Sequence, residues 1–204
     1  MAFIDDVKSE LAELEDEKVD ARKAQVTTMI RFAGGFMNNA QKQIVMLATF
    51  DSLIAAQWLK NNIEELYNLE AHLATSTRTT PKGTHQYHVV KVERGAVNLA
   101  VATGLIDRNR AVRGLPAKIV QGKIAQVRAA WRGAFMARGI LSDLGKNPYM
   151  EIICPSNEAA MALAGLARRL GITASAQQIL PCDAHRPGFH RAYAQFHGRS
   201  AFVP

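Results

Sequence analysis

Trp131-Arg132-Gly133-Ala134-Phe135-Met136-Ala137-Arg138-Gly139 decides how this chain is read, because it is an apolar helical run closed by a glycine and it has a second copy. That copy is Thr27-Thr28-Met29-Ile30-Arg31-Phe32-Ala33-Gly34-Gly35, and Gly35 lies 104 residues before Gly139. The same shift carries Ser52 onto Ser156, and Ala55, Ala56, Leu59 and Leu66 onto Ala159, Ala160, Leu163 and Leu170. Repetition at a fixed offset constrains a fold more than any single motif, because each copy must build the same unit. Each half therefore reads as helix, glycine, strand and Ser-initiated helix, the product of a diverged duplication.

Both runs resemble the LAGLIDADG helix of homing endonucleases. The resemblance implies an α+β fold of two pseudo-symmetric halves, with antiparallel saddle sheets and a central pair of helices. In that family the acidic residue just before each closing glycine holds a metal ion at the scissile phosphates. Here the degenerate motif positions are Gly34 and Gly35 in the first copy and Arg138 and Gly139 in the second. Gly34 has no side chain, and a guanidinium at Arg138 repels a divalent cation. No metal, no metal-activated water and no other cofactor are therefore expected.

A closer resemblance is to the WhiA family of sporulation and cell-division regulators. It is carried by Arg22-Lys23-Ala24, Ile30-Arg31-Phe32-Ala33-Gly34-Gly35, Gly104-Leu105-Ile106-Asp107 and Arg113-Gly114-Leu115-Pro116. It continues through Ala129-Ala130-Trp131-Arg132-Gly133-Ala134-Phe135, Cys154-Pro155 and Ala167-Arg168-Arg169-Leu170-Gly171-Ile172. Roughly the first 180 residues are covered in order, which is stronger than an isolated short pattern. That family joins a degenerate endonuclease domain to a helix-turn-helix domain. The resemblance implies a catalytically inactive, DNA-binding transcriptional regulator whose partners are double-stranded DNA and another transcriptional regulator.

Composition agrees. At 204 residues the chain is long enough for one duplicated domain with a real core. Of its net charge of +7, residues 1–20 contribute −6 from eight acids and two bases, so the body carries +13. A basic body favours a polyanionic partner through phosphate neutralisation and counterion release. No secretory signal and no apolar run of membrane-spanning length is visible, so a cytoplasmic, nucleoid-associated protein is expected. Cys154 and Cys182 are too few for a disulfide framework and lack metal-ligand spacing; Cys154, beside Pro155, reads as a core residue.

Phe3, Val7, Leu11 and Leu14 fall on one helical face, with Glu10, Glu13, Asp16 and Glu17 pointing away. The expected organisation is an acidic docking helix over 1–20, a first half over 21–106, a connector over 107–117, a second half over 118–180 and an unrelated tail over 181–204. Within the first half, Gln43 to Phe50 reads as a strand and Asp51-Ser52 as the cap of a helix to about Tyr67. Glu70 to Arg78 and His85 to Glu93 read as paired strands around a turn at Pro81-Lys82-Gly83, before a helix from about Gly95 to Thr103. Helical spacing at Ile119, Ile124 and Val127 opens the second half. After Leu180 the tail, rich in Arg, His, Pro and Ala, departs from the family. It reads as the product of a shifted frame, leaving the second half short of a strand and its closing helix.

The candidate DNA-binding residues lie on the hairpin. Alternation puts Val90 and Val92 on one face and His85, Tyr87 and Lys91 on the other, while His72, Ser76 and Arg78 fall together on the preceding strand and Lys82 sits in the turn. A basic, hydrogen-bonding sheet face suits phosphate contact and groove insertion; the plainer reading is an ordinary solvated surface. Arg31 and Arg138, near the motif-helix ends, are expected to satisfy local carbonyls or acids. Leu163-Ala164-Gly165-Leu166 spells the start of the endonuclease motif but reads as helix packing. Two rivals remain: an active homing endonuclease or maturase, which needs an acid near each motif end, and a protein-interaction domain docking through the acidic first helix or a motif helix.

Overall fold

The computed structural model describes residues 2–14, 18–80, 83–107, 110–141, 149–178 and 190–195. An N-terminal helix α1 (Ala2–Glu13) precedes the first half. That half runs α2 (Val19–Ala33), β1 (Gly34–Asn38), β2 (Ile44–Phe50), α3 (Leu53–Tyr67), β3 (His72–Thr80), β4 (Gly83–Val92) and α4 (Ala96–Thr103). A short ladder of β5 (Ile106–Asp107) and β6 (Arg110–Ala111) forms the connector. The second half runs α5 (Ala117–Val120), α6 (Ile124–Arg138), β7 (Gly139–Leu141), β8 (Tyr149–Cys154), α7 (Asn157–Arg169), β9 (Ala174–Gln178) and β10 (His190–Gln195).

The duplication is visible in the sheets. Strand order is β1-β2-β4-β3 in one and β7-β8-β10-β9 in the other, and every pairing is antiparallel. Between the motif glycine and the capping serine the sequence suggests one strand; the structure has a hairpin, β1–β2, turned at Asn39–Lys42 with Lys42 left-handed (φ 59°). Ser52 and Ser156 begin α3 and α7 in the same way, their hydroxyls accepting from the Ala55 and Ala159 amides. The strand expected to be missing from the second half is present: β10, from the segment read as an unrelated tail, lies between β8 and β9. His190 pairs with Cys154 there as His88 of β4 pairs with Phe50. Ladder pairing asks only for extended backbone, so a sequence unlike the family's can complete the sheet.

The core is continuous across both halves. The motif helices α2 and α6 pack along their lengths, with Met29, Ile30, Val127, Ala130 and Ala134 buried between and beside them. Gly133 is required at their crossing, since a Cβ there would lie 2.7 Å from the Gln25 carbonyl oxygen. Buried Gln25 accepts from Arg132 Nε at 2.8 Å and donates to Met136 Sδ, so its amide bonds across the crossing from both ends. Trp131 turns its indole N–H onto the Leu163 carbonyl at 3.1 Å, tying α6 to α7. Leu163 and Leu166 are fully buried, as helix packing requires, and Cys154 is a core residue. Cys182 lies outside the described residues.

Helix α1 docks as expected, but through Ile4, Val7, Leu11 and Ala12; Leu14 lies past its end and is exposed. Its Lys8, buried to 1 %, stretches to Asp51 at 2.8 Å, just before the α3 cap. The spacing of Ile119, Ile124 and Val127 is divided between α5 and α6, interrupted at Gly122, where a Cβ would meet the Lys118 and Ile119 carbonyls.

Candidate nucleic-acid interface

Register decides which hairpin residues share a surface. Residues directly opposite in an antiparallel ladder point to the same side. β3 and β4 pair His72 with Lys91, Ser76 with Tyr87 and Arg78 with His85. The two groups expected separately on each strand therefore form one face, running from His72 and Lys91 at the base to Arg78 and His85 near the tip. The opposite face begins in the core: Val90 and Val92 are buried with Met46, Ala48 and Phe50 of β2. Lys82 lies outside the described residues.

β2 ends opposite His88, so from Gly83 to Tyr87 strand β4 pairs with β3 alone. This five-residue overhang reaches roughly 15 Å past the sheet at strand rise. Residues 74–79 and 83–86 are all exposed. Its second face, which the sequence reading passed over, pairs Thr77 with Gln86 and Thr79 with Thr84, above a bond between the Thr75 hydroxyl and His88 Nδ1 at 3.0 Å. Alternation along β3 carries that signal in the sequence, where Thr75, Thr77 and Thr79 fall every second residue.

Charge at the base of the hairpin is partly neutralised. Lys91 is ion-paired with Glu93, and its ammonium holds that carboxyl below the usual range; Glu70 lies 3.8 Å from His72 Nε2. Toward the tip, Arg78 and His85 carry no ion pair among the described residues.

At the motif-helix ends, the structure shifts the correspondence by one residue. Gly34 follows the last residue of α2 as Gly139 follows the last residue of α6, and Gly34 pairs with Ala48 as Gly139 pairs with Ile152. The counterpart of Arg138 is thus Ala33, not Gly34. Both glycines of the first copy have a reason: a Cβ on Gly34 would sit 2.0 Å from the Leu47 carbonyl oxygen, and Gly35 is at φ 145°. Arg138 Nε donates to the Phe32 carbonyl at 3.4 Å. Arg31 Nε donates to the Gly114 carbonyl at 3.1 Å, and its Nη2 to the Arg113 carbonyl, beside the Ser156 hydroxyl. Burial lowers the Arg31 pKa, with Glu158 opposing. These arginines serve carbonyls, tying one half's motif helix to the other half and to the connector. Asp143, the nearest acid after Gly139, lies outside the described residues.

Residues 19–106 match the WhiA N-terminal LAGLIDADG-like domain, and residues 127–179 the WhiA LAGLIDADG-like domain. The chain belongs to the WhiA family. Probable cell division protein WhiA of Bifidobacterium longum subsp. infantis is 54% identical over 175 residues, covering 85% of this chain and 55% of that protein. The probable cell division protein WhiA of Mycobacterium sp. (strain MCS) is 42% identical over 186 residues, covering 90% and 56%. This chain thus spans little more than half the length of the curated relatives it matches. Full-length DUF199/WhiA from Thermatoga maritima shares the fold with a TM-score of 0.65 at 13% identity, covering 94% of this chain and 56% of that one. The endonuclease I-DmoI, in a complex with DNA and Mn, shares it with a TM-score of 0.55 at 14% identity, covering 87% and 91%. Among the described residues no helix is long and apolar enough to cross a membrane.

Proposed function

We propose that this WhiA-family chain is the DNA-contacting saddle of a cell-division and sporulation regulator, holding duplex DNA without cutting it. The observation that carries this reading is the single hairpin face that gathers His72, Ser76, Arg78, His85, Tyr87 and Lys91. An overhanging two-stranded ribbon is of a size the major groove admits. Lysine and arginine on one face suit phosphates, and the Thr77, Gln86, Thr79 and Thr84 face suits base edges. A nuclease of this fold needs metal ligands at the helix ends, where this chain places Ala33 and Arg138. Neither side chain carries a carboxylate to hold a divalent cation. Acting on chromosomal DNA, the protein would be cytoplasmic and nucleoid-associated, with sequence choice refined by a partner regulator or a further domain.

The test is a titration of labelled duplex DNA with the purified chain at about 50 and 200 mM salt, with magnesium present, followed by anisotropy and by strand integrity. Expected are intact strands and binding that weakens steeply with salt. Arg78→Ala and Lys91→Ala should each lower affinity and reduce the salt slope by about one. Absence of binding, or binding that ignores salt and both substitutions, overturns the reading. Cleaved strands would establish the endonuclease instead.

A further inference from the structure

Strand β3 (His72–Thr80) is an outer strand of the first sheet, and among the described residues no strand pairs with its far edge. Residues 74–79 are exposed, so the backbone groups that do not reach β4 stand open to solvent. An open edge is a template for another strand, and proteins ordinarily blunt it with short length, proline, charge or a bulge. The other edges of the two four-stranded sheets are short: β1 and β9 have five residues each and β7 has three. β3 is not blunted. Its nine residues pair with β4 in unbroken register, hold no proline and carry Arg78 as the one permanently charged side chain. Thr75, Thr77, Thr79 and Thr80 are β-branched and favour extended backbone.

We propose that β3 pairs antiparallel with β3 of a second copy of this chain, joining two four-stranded sheets into one of eight strands. The register centred on Ser76 engages all nine residues and is self-complementary. It sets Ser76 against its own copy, Thr75 against Thr77, Leu73 against Thr79, His72 against Thr80 and Ala74 against Arg78. Threonines meet threonines, and no like charges stand directly opposite. Opposed residues share a side of the sheet, so the two basic faces lie together. The pairing is isologous and closes at two copies. One strand pair is a small interface, which makes the dimer concentration-dependent.

A consequence for DNA rests on the duplex-binding reading above. Four ribbon strands side by side span roughly 14 Å between outer strands, more than the roughly 12 Å of the major groove. The dimer and the groove therefore compete for the same ribbon, and the paired form is the DNA-free one.

The test uses the full 204-residue chain carrying Ser76→Cys in a Cys182→Ser background, where the remaining Cys154 is buried. Directly opposed residues lie about 4.5–5.5 Å apart at Cα, within disulfide reach. Mild oxidation should link two copies at least about tenfold faster than it links Arg78→Cys, whose copies stand four residues apart, roughly 13 Å. Added to Ser76→Cys, Ala74→Glu places a carboxylate opposite Arg78 and should speed linkage, while Ala74→Arg opposes two guanidinia and should slow it. Ala74 is exposed, so both substitutions leave the core untouched. Equal rates for Ser76→Cys and Arg78→Cys, or glutamate and arginine at position 74 moving the rate alike, overturn the proposal. The linked dimer should also bind duplex at least about tenfold more weakly than the same chain reduced, since its ribbons cannot part to enter the groove. Equal affinity overturns the competition. A chain that links in register yet binds no duplex in either form removes the duplex reading and leaves the dimer standing.

Discussion

Gly133 shows how much of this fold hangs on one missing methyl group. Helices cross closely only where side chains leave room, and the Gln25 carbonyl occupies the space a Cβ would need. Gly133→Val should therefore lower the unfolding free energy by roughly 3 kcal/mol, at the upper end of overpacking costs, measured by denaturant titration. Tyr67 offers a pH-dependent counterpart. Burial pushes its phenol up to about 12, with the Thr27 hydroxyl opposing, against an ordinary value of 10.0. A raised pKa means the unfolded chain ionises first, so the contribution is complete below pH 10 and is lost as pH rises from about 10 toward 12. Thermal melts across that window should fall more steeply for wild type than for Tyr67→Phe.

At the scale of elements, the β3–β4 ribbon carries the proposed interface, and its charge is tuned by a neighbour. The Lys91–Glu93 ion pair competes with any phosphate for the same ammonium. Glu93→Gln should tighten duplex binding by about two- to fivefold, the worth of one exposed ion pair. A looser complex would show that Lys91 does not face the DNA. This hairpin was also the most legible element in the sequence. Period-2 alternation gave both strands and the basic face, and at the base of β4 it separated buried Val90 and Val92 from that face. What alternation could not give was the cross-strand register that brings Arg78 opposite His85, or the end of β2 that leaves the ribbon overhanging. Both depend on residues distant in sequence. β10 was illegible for a related reason: nothing local in His190–Gln195 marks a strand, and its neighbours β8 and β9 supply the reason it forms.

At the scale of the molecule, the duplication was readable as a constant shift, and the pair of motif helices followed from it. The one-residue slip at Gly34 was not, since two adjacent glycines look alike until one caps a helix and the other turns left-handed. The union of the halves rests on the motif-helix crossing and on Arg31, whose guanidinium serves two connector carbonyls. Arg31→Met should leave those carbonyls short of a donor. A loss of about 2 kcal/mol in stability is expected, read from the midpoint of urea unfolding. An unchanged midpoint would mean that water replaces the guanidinium at no cost.

Trp58 and Trp131 are the chain's two tryptophans, and they fall one to each half. Trp58 sits half-buried on α3, while Trp131 is 7 % exposed with its indole hydrogen-bonded to the Leu163 carbonyl of α7. An indole shielded from water emits at shorter wavelength than one in contact with it, so the native spectrum is the sum of a bluer and a redder band. The molecule thus carries an optical gauge for each half. Separation of α7 from α6 would register as a loss of the blue component alone, with no added label.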